Sequence, residues 1–349
     1  YQSIILLLIK NNIIMFIISN YSLAVIFCII TMFCWGSWGN TQKLASKSWR
    51  YELYYWDYVI GILLFSIIMA FTLGSYGENG RSFLTDIRQV DPSNLLSAFI
   101  GGAIFNASNI LLSTSVSIAG MSVAFPLGVG LALVLGVFIN YFSTPKGDPI
   151  TLFLGVALII IAIICNSIAA EKNNNKNVSS NTRKGITIAI IAGVLMSLFY
   201  RFVAASMDLD NFIHPSSGKA TPYTAFFIFA IGIFISNFIF NTYVMKRPFI
   251  GSPISYKEYF LGSFNTHFVG FLGGCIWATG TLFSYIAAGK AGAAISYALG
   301  QGAPMIAAFW GVFIWKEFKG SPRTTNLLLT IMFILFVTGL SLIVLSGGN

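Results

Sequence analysis

Apolar residues in this chain fall in long unbroken runs, without the alternation of a half-buried strand. Ten of the runs approach the roughly 20 residues that a helix needs to cross a hydrocarbon core. They lie near 21–41, 55–74, 95–117, 120–142, 150–169, 185–206, 222–244, 266–288, 291–315 and 325–346. Continuous runs disfavour a transmembrane barrel, and in lipid only helices or closed barrels satisfy every backbone group. The pattern predicts an all-α polytopic membrane protein with ten transmembrane helices.

One low-complexity polar stretch, EKNNNKNVSSNTRK at 171–184, divides the ten spans into five and five. A shift of 172 positions lays FIGGAIFNASN (99–109) on FLGGCIWATGT (271–281), and AGMSVAFPLGVG (119–130) on AGAAISYALGQG (291–302). Gly101, Gly102, Gly120, Gly128 and Gly130 then meet Gly273, Gly274, Gly292, Gly300 and Gly302. An odd number of spans per copy forces the second copy to enter the membrane from the opposite side. The expectation is two inverted five-helix repeats, the plan of secondary transporters, with a substrate site near the midplane. The expected organisation is an N-terminal extension at 1–20 with the native start at Met15, a first repeat at 21–170, the linker at 171–184, and a second repeat at 185–349.

Composition and charge agree with a membrane class. The 349 residues are 56% hydrophobic and 9% charged, against about a quarter charged in soluble domains. The formal charge of +9 sits in short loops, and 13 of the 20 Lys and Arg follow odd-numbered spans. That asymmetry predicts a cytoplasmic linker and both termini outside. With neither a basic face nor a reading motif, nucleic acid is not an expected partner. Cys28, Cys34, Cys165 and Cys275 lie inside apolar runs without metal-ligand spacing, so neither disulfides nor a metal site is expected. Lys290 in AAGKAGAA lacks the following Ser/Thr and the upstream Gly of a phosphate loop, and no cofactor is expected. The expected partners are the lipid bilayer, a small-molecule substrate and protons; the sequence assigns no oligomeric state.

The candidate chemistry lies inside the runs. The first span closes on CWGSWGNTQK (34–43), where Trp35, Asn40 and Gln42 around Gly36 and Gly39 read as the lining of a polar vestibule, and Trp38 as an aromatic-belt residue. Asn106, Asn109, Ser113 and Ser117 recur along one helical stripe, with Asn106 about 16 Å in from Leu95 at about 1.5 Å per residue. Such amides either tie helices together or read a ligand rich in amide groups. Trp277, Thr281 and Tyr285 form a similar stripe in the second half, so a flat ring could stack on Trp277 while amides read its edge. Tyr297 and Gln301, one turn apart beside the helix-interrupting Pro304, read as further lining. Asp57 in YYWDYVIG is the acid nearest an apolar core. Its insertion costs about 2.5–3.5 kcal/mol, so it should either couple protons or be salt-bridged to Lys43 or Arg50. Glu317, beside Lys316 and Lys319, reads as an interface pair, and His214 and His267 as isolated loop or interface residues. With no nucleophile and base cluster, no catalytic residue is expected, and a membrane enzyme or scaffold is the alternative of another class.

LYYWDYVIGILL, FTLGS and RSFLTDIRQ (53–89), then GGAIFNASNILL, AGMSVAF, NYF, TPYTAFFIF (221–229) and FWGVFIWKEFKGSPRT (309–324) resemble the ureide permeases. These are a branch of the drug/metabolite transporter superfamily, and the resemblance runs from about residue 21 to the end. It implies ten helices, a cytoplasmic linker after the fifth, and proton symport of oxo derivatives of nitrogen heterocycles such as allantoin and uracil. It also implies an acidic residue at the position of Asp57. The sugar-uptake permeases of the same superfamily are similar in plan. The chain departs from the plant proteins in its short linker, which lacks a phosphate-binding pattern, and in the polar end of its first helix; both leave the substrate open. The expectation is a permease of a bacterial cytoplasmic (inner) membrane that takes up a nitrogen heterocycle or ureide. Sugar uptake and drug or metabolite export by the same fold are the alternatives.

Overall fold

The computed structural model describes residues 15–46, 49–77, 79–173 and 180–348. In chain order its helices are α1 (Tyr21–Ala45), α2 (Tyr51–Phe71), α3 (Phe83–Gln89), α4 (Pro92–Ala119), α5 (Met121–Ser143), α6 (Pro149–Asn173) and α7 (Ser180–Ser206). They continue as α8 (Pro222–Lys246), α9 (Tyr256–Phe260), α10 (Phe264–Ala291), α11 (Ala293–Gly300), α12 (Ala303–Phe309) and α13 (Arg323–Ser346). A π-helical turn, Trp310–Ile314, extends α12. The described residues hold ten spans long and apolar enough to cross a membrane, α11, α12 and the π turn together making the ninth. The chain is an integral membrane helical bundle. The expected extension lies outside the described residues up to residue 14, as does the expected linker over 174–179; α6 runs into the linker to Asn173.

Local chemistry sets the helix ends. Asn20 caps α1 by accepting from the Leu23 N–H at 2.8 Å. Pro92 and Pro222 open α4 and α8 where the missing N–H costs nothing. Gly120 (φ 84, ψ 161) joins α4 to α5, and Gly292 (φ 81, ψ 158) joins α10 to α11, in a backbone region essentially reserved for glycine. These two glycines are 172 residues apart, so the repeated sequence makes the same turn twice.

The helix crossings recur, α4 and α10 in the 172-residue register and α2 and α8 one residue off it. A Cβ on Gly102 of α4 would overlap the Phe229 carbonyl oxygen of α8, and one on Gly274 of α10 would overlap that of Tyr58 on α2. Gly232 of α8 faces the Phe99 carbonyl in the way that Gly61 of α2 faces Phe271. Bare glycine faces let backbones approach, which is how helices associate where lipid removes the hydrophobic drive between them. As a result α4 packs on α7 and α8, α10 packs on α1 and α2, and α2 meets α8 while α6 meets α13. The halves interleave. Large apolar side chains such as Ile26, Ile68, Phe238 and Ile334 point outward, and Thr31, Asn106, Asn109, Asn237 and Ser284 are buried within.

Candidate functional site

At the centre of the bundle lies a small cavity lined by Trp35, Trp38, Phe105, Asn109, Trp277 and Gln301 among other residues. Its volume is about 20 Å³, room for one water molecule. Two of its wall pairs, Phe105 with Trp277 and Val129 with Gln301, are 172 residues apart, so the cavity draws equivalent positions from both halves.

Trp277 lies buried among aromatic rings. Phe105 stacks on it with ring centres 4.1 Å apart, Phe229 lies at 6.1 Å and 21°, and the Trp35 indole lies nearly parallel to it at 6.1 Å and 9°. Trp35 is held in that plane because its Nε1–H donates to Thr281 Oγ1 at 3.0 Å, one turn beyond Trp277. Thr281 in turn donates to the Trp277 carbonyl at 3.0 Å. Trp38 is 2% exposed and lines the cavity, so it faces into the bundle and not toward lipid as a belt residue would.

The polar residues of the two stripes are sent in different directions. Asn109 reaches the cavity wall, its Nδ2 donating to the Tyr55 hydroxyl at 3.3 Å. Asn106 turns to α8, where its Nδ2 donates to Ser236 Oγ at 2.9 Å. Gln42 and Ser113 exchange bonds: Gln42 Nε2 donates to the Ser113 carbonyl at 3.1 Å, and Ser113 Oγ donates to Gln42 Oε1 at 2.9 Å. Tyr285 packs among Tyr200 and Phe229, away from the cavity wall. The Tyr297 hydroxyl donates to the Ala132 and Met196 carbonyls at 3.1 and 3.3 Å, its ring lying on the bare face of Gly136.

The polar end of α1 is explained by segment 310–317. Trp310 Nε1 donates to Ser37 Oγ at 2.9 Å, Trp315 Nε1 donates to Asn40 Oδ1 at 2.7 Å, and Lys43 pairs with Glu317. The Lys43 ammonium also lies 4.5 Å from the centre of the Trp315 ring. Ser37, Asn40 and Lys43 are one stripe of α1, so the three contacts zip it to the end of the ninth span. Beyond this zipper opens a vestibule of about 840 Å³, lined by Gln42, Lys43, Trp49, Arg50, Glu52 and Glu317 among others.

Asp57 is paired differently from the expected salt bridge. Lys43 goes to Glu317 and Arg50 to Glu52, acids that line the same vestibule as the cations. Glu317, expected to pair with Lys316 or Lys319, likewise meets Lys43. Asp57, 4% exposed, accepts at Oδ1 from the Tyr259 hydroxyl at 2.6 Å and lies 2.8 Å from His267 Nδ1. Its Oδ2 is buried without a well-formed hydrogen bond, and the Trp49 indole stands close to the carboxyl. Tyr259 lies outside the spans; burial, and then the bond and charge of Asp57, push its phenol above the usual range and keep it a donor. Neither Tyr259 nor His267 stood out in the sequence. The available signal was a histidine within one turn of the start of a predicted span.

Comparison with known proteins agrees with this architecture. Ureide permease 2 and ureide permease 1 of Arabidopsis thaliana are each 25% identical to the chain, over 96% of it and 100% of their own length. The probable glucose uptake protein GlcU of Bacillus cereus is 25% identical over 63% of this chain and 69% of its own. A solved crystal structure, 14% identical, shares the fold with a TM-score of 0.57 over 93% of this chain and 98% of its own. The ureide permease family profile matches residues 54–180 and 170–346, passing through both halves of the bundle. On that coverage, the chain belongs to the ureide permease family.

Proposed function

We propose that this transporter imports a flat nitrogen heterocycle or its ureide product together with protons, by alternating access between inverted repeats. The observation that carries the reading is the slot between the parallel indoles of Trp35 and Trp277. An aromatic plate between two others needs roughly 7 Å, twice the optimum carbon contact of about 3.5 Å. With ring centres 6.1 Å apart the two planes are no farther apart than that, so the slot is closed to such a plate and admits one only when the indoles separate. Asn109 and Gln301 on the same wall each offer an N–H donor and a carbonyl acceptor. That set matches the alternating N–H and C=O edge of a lactam ring or a ureide, and the two Arabidopsis relatives are named for ureides.

The paired glycine contacts and five spans per half support a two-fold axis in the membrane plane passing near the cavity. In this reading the vestibule and the 171–184 linker face the cytoplasm and both termini lie outside, because the basic loops follow odd-numbered spans. Asp57 is the proton-coupling residue, being a buried carboxyl with one oxygen lacking a well-formed hydrogen bond.

A sugar is the second reading, favoured by the Bacillus relative and by the ability of an indole face to pack against ring C–H groups. Uptake into proteoliposomes separates the two. With acid outside, radiolabelled allantoin or uracil should accumulate and glucose should not, and a protonophore should abolish the gain. Glucose uptake alone would transfer the assignment to sugars. Accumulation that resists the protonophore would sink the proton coupling.

A further inference from the structure

His267 is paired with Asp57 across the two halves, and the matching crossing in the repeat carries apolar residues instead. Asp57 lies four residues before Gly61, and the equivalent of Gly61 is Gly232, as their matching contacts with the Phe271 and Phe99 carbonyls show. Counting back the same four residues gives Ile228, and the 172-residue register places Leu95 opposite His267. One crossing of the same geometry is thus built from isoleucine and leucine, and the other from a carboxylate and an imidazole. Replacing a buried ion pair with apolar residues is often neutral or stabilising, so a titratable pair at one crossing where the other is apolar calls for a use beyond packing.

The surroundings give the pair a direction. Asp57 is 4% exposed and its partner His267 is 28% exposed, so the imidazole stands between the buried carboxyl and the aqueous end of the bundle. His267 Nδ1 faces Asp57 and its Nε2 faces Gly262 in the loop before α10. Trp49, which lines the vestibule, packs edge-on against the imidazole with ring centres 5.1 Å apart. Around Asp57 the titratable neighbours are His267 from α10, Tyr259 from α9 and Tyr54 from its own helix, the last hydrogen-bonded to Thr41 at 2.7 Å. Arg50 and Glu52, lower on the same side, are paired with each other.

We infer that His267 is the proton acceptor for Asp57, carrying the coupled proton to the vestibule end, with Tyr259 as a positioning residue for the carboxyl. The step moves one proton from the Asp57 carboxyl oxygen to His267 Nδ1, converting acid and neutral imidazole into carboxylate and imidazolium. The Tyr259 hydroxyl stays bonded to Oδ1 throughout. Release of the proton to water from the partly exposed ring leaves carboxylate and neutral imidazole, and the pair is reset when the Asp57 carboxylate takes up the next proton. Histidine suits this role because its ordinary titration lies closest to neutrality. The inference rests on the proton-coupled reading above.

The test uses the full-length protein in proteoliposomes, with four forms: wild type, Asp57→Asn, His267→Gln, and the double variant Asp57→Ile with His267→Leu that copies the other crossing. Two readouts are taken, counterflow of a radiolabelled heterocycle and its accumulation under a pH gradient. All four forms should sustain counterflow, and only the wild type should accumulate; the others should stop at simple equilibration. His267→Gln accumulating as well as wild type while Asp57→Asn does not would overturn the role of His267 and leave Asp57 in place. Loss of counterflow in His267→Gln or in the double variant would make the pair a structural one and overturn the inference. A wild type that exchanges heterocycle but ignores the pH gradient would remove the proton-coupled reading and this inference together.

Discussion

Replacing Gly36 with alanine tests how closely α1 must approach the broken ninth span. An added Cβ would stand 2.6 Å from the Ala303 carbonyl oxygen and 2.5 Å from Ile306 Cβ, both on α12. Carbon contacts are optimal at about 3.5–4.0 Å, so α1 must retreat from α12 by roughly 1 Å. The near neighbours are a backbone carbonyl and a β-branch point, neither of which can rotate away. Overpacking of this kind costs about 1–3 kcal/mol, more than the gain of about 1 kcal/mol from better helix propensity. Gly39, nearly one turn along, is an internal control. Its Cβ would meet Met121 Sδ at 3.1 Å and Phe125 Cζ at 3.3 Å, and a methionine can shift by the few tenths of an ångström required. Thermal unfolding of the detergent-purified variants, with membrane abundance measured alongside, should show Gly36→Ala clearly destabilised and Gly39→Ala near wild type. Equal behaviour of the two variants would refute the assignment of α1 and α12 as a close-packed wall.

Three further outcomes follow from the same geometry. Trp35→Phe and Thr281→Val each remove the bond that holds the Trp35 plane, so each should weaken heterocycle affinity by about 0.5–1.5 kcal/mol. The double variant should add nothing, and additive losses in a binding assay would count against the bond. Lys43 and Glu317 are about a third exposed, so a double-mutant cycle with Lys43→Met and Glu317→Gln should give a coupling of only about 0.2–1 kcal/mol, falling with salt. A coupling that is large and independent of salt would contradict a partly exposed pair. Asp148, outside the spans, accepts from the Thr151 hydroxyl and N–H, which holds its carboxyl below the usual range. A depressed folded-state pKa contributes stability above the unfolded value and loses it as pH falls through the folded one. Asp148→Asn should therefore lower the melting temperature at pH 7, with the gap closing below about pH 3.9; a constant gap would refute it.

The fold was largely legible because hydropathy writes spans directly into sequence: in lipid each apolar run has to become a helix. The glycine register was legible too, since a bare helix face against a carbonyl tolerates no other residue at Gly102 or Gly274. The partners of polar residues were not. CWGSWGNTQK shows a polar stripe on α1, but nothing local says that Trp310, Trp315 and Glu317, more than 270 residues away, complete it. Asp57 failed in the same way. Sequence proximity favoured Lys43 and Arg50, whereas the α2–α10 crossing brings up His267 and Tyr259 from more than 200 residues away. The stripe of Asn106 and Asn109 was visible, but which amide faces the cavity depends on rotation against α8, which periodicity leaves undetermined. Pro304 announced a broken ninth span, though not the π turn that carries Trp310 toward Ser37.

The account turns on the slot beside Trp277. Equilibrium binding of a radiolabelled heterocycle to purified wild type and Trp277→Ala tests it directly. Stacking of a base on an aromatic face is worth about 1–3 kcal/mol, so Trp277→Ala should bind roughly five- to 150-fold more weakly, with wild-type binding saturable, displaced by a ureide and indifferent to glucose. Equal affinity in the two proteins, with Trp277→Ala folded as judged by its melting curve, would place the substrate elsewhere and contradict the account.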